Sequence, residues 1–212
     1  MVMHYASSDL SKSPIKICCI SIQSFVSKQA TTFSLVNYSS EKDLLKDFLK
    51  FAIQNQGKSY ITWNMKDSTF GIQVIQKRIN QLVGDKKIPI DDNEIFDMDE
   101  ILQKKYGLNY VSHPKLKNLA KLNDMTMLGF INGARESELF ERSDYRSIEQ
   151  STNRKVRIIS NLTELLFENK LKVENRTPLS YFKEFIYNPI IQVLLGIISI
   201  LLAILGIMIS LG

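Results

Sequence analysis

The densest run of side chains able to do chemistry is acidic. Asp91, Asp92, Glu94, Asp97, Asp99 and Glu100 follow one another with no basic residue between them. Hard divalent cations take carboxylate oxygens, and Asp97 and Asp99 alternate at the end of a short strand, a spacing able to hold one such ion. More often a run of this kind is a polar turn followed by acids at a helix N-terminus, where the helix dipole favours negative charge. His4 and His113 are the only histidines, and neither has a Cys or carboxylate at ligand spacing. Cys18 and Cys19 are adjacent within an apolar stretch. Neighbouring strand residues point to opposite faces, so two buried reduced thiols are expected rather than a disulfide between them. No serine or cysteine nucleophile constellation and no Gly-rich phosphate loop is present, which sets those catalytic classes aside.

The basic side chains point to a different chemistry. Between Glu100 and Asp124 there is no acid, but there are Lys104, Lys105, Lys115, Lys117 and Lys121, with Tyr106, Tyr110 and His113 interleaved. Ammonium groups neutralise phosphates and aromatic rings stack on unpaired bases, so this stretch is the candidate surface for single-stranded nucleic acid. A solvated helix face or a membrane-facing patch is the plainer reading. Arg154, Lys155 and Arg157 form a second basic group, balanced by Glu138, Glu141, Asp144 and Glu149, which suits a salt-bridged face. Trp63, the single tryptophan, is expected in the core, with base stacking as its functional alternative. A net charge of +5 permits phosphate backbones or an anionic membrane surface as partners.

These side chains need a frame to hold them. The 212 residues are 44% hydrophobic and 23% charged, enough for one domain with a real core. The opening MVMHYASSDLSKS lacks the apolar centre of a signal peptide. Ile15–Ile22 and Thr31–Val36 read as two strands joined by a polar turn. Ser40 before Glu41 and Asp43 marks a helix start, Leu44, Leu45, Phe48, Phe51 and Ala52 follow at helical spacing, and Gly57 punctuates the end. Ser59–Trp63 is a short strand, Phe70–Val83 a helix, and Glu94–Asp97 another strand leading into a helix that stops at Gly107. Beyond Pro114 the pattern is helical, its longest stripe running through Ile148, Thr152, Val156, Ile159, Leu162 and Leu166. The order predicts a mixed α/β sheet with helices on its faces.

The last stretch differs from the rest. Ile190 to Gly212 contains no charged residue. As a helix it would extend about 34 Å, enough for a hydrocarbon core of about 30 Å. Tyr181, Phe182, Phe185 and Tyr187 suit a headgroup-level belt, and Lys170, Lys172, Arg176 and Lys183 all precede the span. The expected layout is a domain over 1–171, a juxtamembrane linker over 172–188 and one C-terminal transmembrane helix over 189–212, with the domain in the cytoplasm. Gln192, Gly196, Ser199, Ala203, Gly206 and Ser210 recur at spacings of 4, 3, 4, 3 and 4. Such a stripe would let two membrane helices approach closely, making a homo-oligomer an expected partner state.

Four stretches, IKICCISIQSF, SSEKDLLKDFLKF, ITWNMKDSTFGIQVIQKR and SIEQSTNRKVRIISNLTELL, together resemble the DEDD family of 3′–5′ exonucleases, which has the RNase H-like fold. IKICCISIQSF resembles the second strand of that family, and SSEKDLLKDFLKF resembles the helix that follows the third. ITWNMKDSTFGIQVIQKR is similar to the second motif, and SIEQSTNRKVRIISNLTELL to the final helix. The likeness spans roughly residues 14–170, and it implies four acids holding two metal ions for phosphodiester hydrolysis. The acids themselves are replaced. Asn64 and Phe70 of the second motif are present, but Gly71 stands where the acid would follow. The final acid falls on or near Arg157, and Asn153 stands where the base would be. Asp67 could substitute, and before Ile15 the only acid is Asp9, so the first strand with its acid pair is expected to be missing.

The resemblance therefore implies an RNase H-like α/β domain with lost chemistry and no bound cofactor. The function expected is that of a membrane-anchored, catalytically inactive exonuclease-like domain binding single-stranded nucleic acid or a protein partner. A defence or stress effector would use such an architecture. The alternatives are an active Mg- or Mn-dependent exonuclease with displaced acids, and a membrane-bound protein-interaction scaffold.

Overall fold

The computed structural model describes residues 1–66, 70–178, 191–193, 196–197 and 199. Its first strand, β1 (Val2–Ser7), is buried at every position, which corrects the expectation that a first strand is absent. Apolar Val2, Met3, Tyr5 and Ala6 flank His4 on both faces, the pattern of a strand covered on both sides. The acid-free N-terminus hid it. β1 pairs antiparallel with β2 (Ile17–Gln23), which pairs antiparallel with β3 (Ala30–Ser34). On its other side β1 pairs parallel with β4 (Tyr60–Thr62), and β4 pairs parallel with β5 (Ile95–Asp97). The sheet order is β3-β2-β1-β4-β5, with β1 at the centre.

The helices divide between the faces. α1 (Glu41–Gln54) and α2 (Ile72–Leu82) enclose one cluster with Met3, Tyr5, Ile20, Ile22 and Phe33 of the sheet. α1 starts as expected, with the Ser40 hydroxyl accepting from the Asp43 N–H. α3 (Met98–Tyr106), α4 (Lys115–Leu122) and the long α6 (Tyr145–Phe167) cover the opposite face around Val2 and Trp63. α5 (Gly133–Glu141) adds a small cluster in which Leu139 meets Ala6, Cys18, Cys19 and Ile148. Both cysteines are buried and free. The fold is thus a five-stranded mixed α/β sheet flanked by helices.

Among the described residues no helix is long and apolar enough to cross a membrane. This finding overturns the transmembrane helix expected over 189–212 as an element of the fold. The longest described helix, α6, has 23 residues but carries Arg146, Glu149, Arg154, Lys155, Arg157 and Glu164 beside its apolar stripe, so it covers a sheet. Of the small-residue stripe, Gln192, Gly196 and Ser199 are described and exposed; Ala203, Gly206 and Ser210 lie outside the described residues, as does Asp67. After α6 the chain turns back onto α3. The Glu174 N–H donates to the Tyr110 carbonyl at 2.9 Å and the Thr177 N–H to that of Tyr106 at 3.2 Å. Gly107, at φ +103°, makes room for this strap: a Cβ there would meet the Thr177 methyl at 2.7 Å.

Candidate site at the carboxyl end of the central strands

Side chains alternate along β1, so His4 shares its face with Val2 and Ala6 and looks toward α6. Opposite it stands Lys155, whose Nζ donates to Glu136 Oε2 at 2.6 Å. Both side chains of this pair are only 7% exposed. Glu136 Oε1 accepts from the Ser151 hydroxyl at 2.6 Å, and the Phe130 ring centroid lies 5.6 Å from the ammonium. His4 is 6% exposed, and its Nδ1 has no hydrogen-bond partner among the described residues. Burial first, and the Lys155 charge second, hold its pKa well below the usual 6.5. The imidazole is neutral at physiological pH.

The site opens at the carboxyl ends of β1 and β4. A cleft of about 440 Å³ is lined there by Ser7, Ser8, Trp63, Asn64, Phe70 and Lys155, among others. Asn64 takes a left-handed backbone, at φ +55°, directly after Trp63, which is 5% exposed. Crevices at the carboxyl ends of parallel strands are where open α/β sheets bind ligands.

The remaining sequence-derived residues disperse. Gly71 is the buried N-cap of α2. Asn153 accepts from the Ser21 hydroxyl at 2.6 Å and the Thr32 hydroxyl at 2.8 Å, over β2 and β3. Arg157 is exposed and lines a separate hollow with Asp124 and Arg154. The cation of α6 inside the cleft is Lys155, two residues earlier, about 200° around the helix from Arg157. A signal for it exists: Lys155 continues the series Ile148, Thr152, Ile159, Leu162 at spacings of 4, 3, 4 and 3, the buried stripe itself. Glu136 and His4 have no comparable local signal.

In the lysine-rich stretch, Tyr106 and Tyr110 are buried and present no ring face to a base. The Tyr110 hydroxyl donates to Asp99 at 2.6 Å, and Lys115 reaches the same carboxylate at 3.2 Å. Lys104 pairs with Glu100 at 2.5 Å, and Lys105 reaches Asn169. Lys117 is half-buried, and Lys121 is exposed. The acidic run is occupied by structure. Asp97 caps α3 through the Asp99 and Glu100 N–H groups and also takes the Met65 N–H at 2.8 Å. Asp91 and Glu94 form a capping box. Among the described residues no group of three or more His, Cys, Asp or Glu is placed to hold a metal ion. No protein-family model matches the chain, and none of the curated proteins compared with it does, so the reading of the site rests on its geometry.

Proposed function

We propose that this chain is an RNase H-like domain, similar to the DEDD exonucleases, that binds single-stranded nucleic acid without cutting it. The observation that carries the reading is the buried Lys155–Glu136 pair beside neutral His4, between β1 and α6. The resemblance puts three of the four metal-holding acids on those two elements and the other at the position of Gly71, the N-cap of α2. With one Glu136 oxygen taken by Lys155 and the other by Ser151, this neutral pair offers a divalent cation no free carboxylate. Strand order and direction, the central β1 and the long α6 lying across β1 and β2 all support the RNase H-like assignment. Asp97, paired with Thr62 of β4, and Asp99 already serve backbone N–H groups, Tyr110 and Lys115, which speaks against displaced catalytic acids. Lys117 and Lys121 remain to steer a phosphate backbone along α4.

The test uses the full chain, kept in solution with a mild non-ionic detergent, and labelled single-stranded DNA or RNA with Mg²⁺ or Mn²⁺. Salt-sensitive retention of strands of unchanged length is expected. Shortened strands would overturn the reading in favour of an active nuclease. A folded protein that retains no strand would overturn it in favour of a protein-interaction scaffold.

A further inference from the structure

Beside the cleft just described, a second hollow of about 240 Å³ shares His4, Trp63, Asn64 and Lys155 with it and continues to α4 and α5. Two helices begin on its wall. α4 starts after Pro114, which offers no side-chain cap, so the N–H groups of Lys115, Leu116 and Lys117 precede the first intrahelical bond, from Asn118 to Pro114. α5 starts at Gly133, where the Asn132 side chain takes only the Arg135 N–H, leaving those of Gly133 and Ala134 ahead of the first helical bond. Two helix N-termini thus bring partial positive charge, and N–H donors without a partner among the described residues, to one space.

Three further observations select the ligand. His4 lines the hollow nine-tenths buried, with Nδ1 unpartnered among the described residues. No Asp or Glu is among the lining residues. Of the three lining ammonium groups, Lys115 is bound to Asp99 and Lys155 to Glu136, whereas Lys117 makes no ion pair among the described residues. The hollow therefore carries one uncompensated ammonium, the imidazoles of His4 and His113, and two helix starts.

We infer that this hollow is a metal-free phosphate subsite, in which the N-termini of α4 and α5, Lys117 and His4 together hold one phosphate group. The inference deepens the nucleic-acid reading and rests on it for the source of the phosphate, a strand's backbone or end. Helix-start donors and an ammonium there supply the charge that a metal ion would supply in a cutting enzyme, and they hold the phosphate without activating a nucleophile.

The full chain is titrated with inorganic phosphate while backbone amide resonances are followed. The amides of Lys115, Leu116, Gly133 and Ala134 are expected to shift together. Lys117→Glu is expected to weaken the binding about ten- to hundredfold, the loss of one charge-assisted contact. Lys42→Glu, exposed on α1 across the sheet, is expected to leave it unchanged. Amides that do not move, or equal weakening by both variants, would overturn the subsite. A dinucleotide with a 5′-phosphate binding more tightly than inorganic phosphate supports a strand as the source; equal affinities support the subsite but overturn that source. Strand retention with unmoved amides removes the subsite alone, whereas moved amides without strand retention remove the nucleic-acid reading alone.

Discussion

Lys155 keeps its charge in a place where water is scarce, and Glu136 is what permits it. Removing one partner leaves the other charged, buried and unpaired, so Lys155→Met is expected to cost about 3–5 kcal/mol in urea denaturation. The double change Lys155→Met with Glu136→Met removes both charges and should recover most of that loss; a double variant as unstable as the single one would contradict the pairing. His4 gives a pH signature. Its folded pKa lies well below 6.5, because of burial and then the charge of Lys155, while the unfolded chain protonates it near that value. Stability is full above about pH 6.5 and falls below it, by up to about 1.4 kcal/mol per pH unit, until the folded imidazole itself takes a proton. His4→Gln should flatten that decline between pH 7 and 5 relative to the native chain. The thiols follow the same logic: burial pushes Cys19 up to about 12 and raises Cys18 too. Neither should react with a thiol reagent at pH 8 until the chain is unfolded.

At the scale of elements, one carboxylate fastens three of them. Glu41, in the first turn of α1, accepts from the Ile17 N–H at the start of β2 at 2.8 Å. It also accepts from Arg78 of α2 through Nε at 2.8 Å and Nη2 at 2.6 Å. Glu41→Gln loses the charge and half of the bidentate contact, and is expected to cost about 3 kcal/mol. Ser40→Ala, which removes only the cap, should cost about 1 kcal/mol. The ratio of the two losses, read from urea midpoints, separates the tie between elements from the local cap. Most elements were legible in advance: the Ser40 start, the strands around Cys18 and Phe33 and the stripe of α6 are local patterns, because each repeats with the period of its own secondary structure. β1 was not. Its buried His4 and Ser7 break the apolar run that marks a central strand, and only pairing with β2 and β4 settles its place.

For the whole molecule, the return of the chain after α6 enlarges the packed unit past residue 171. Leu171 is buried against the α3, α4 and α6 side of the core, and the Glu174 carboxylate takes the Ser112 N–H at 2.8 Å. A chain shortened after Lys170 should therefore melt below one shortened after Pro178, since the former uncovers Tyr106 and Tyr110. Equal melting temperatures would show the strap to be dispensable. The charge distribution acts at this scale too: strand retention should weaken steeply with added salt, in proportion to the phosphates neutralised.

The amino-acid order alone established an α/β layout and free buried thiols, because composition and periodicity are local properties. Which groups face one another was decided only by the tertiary structure. His4, Trp63, Glu136 and Lys155 come from β1, the end of β4, α5 and α6, and no local spacing links them. Their meeting depends on the register of β1 between β2 and β4 and on the rotation of α6 over the sheet. That rotation places Lys155 in the cleft and Arg157 outside it, since burying one stripe of a helix necessarily turns residues two apart to opposite sides.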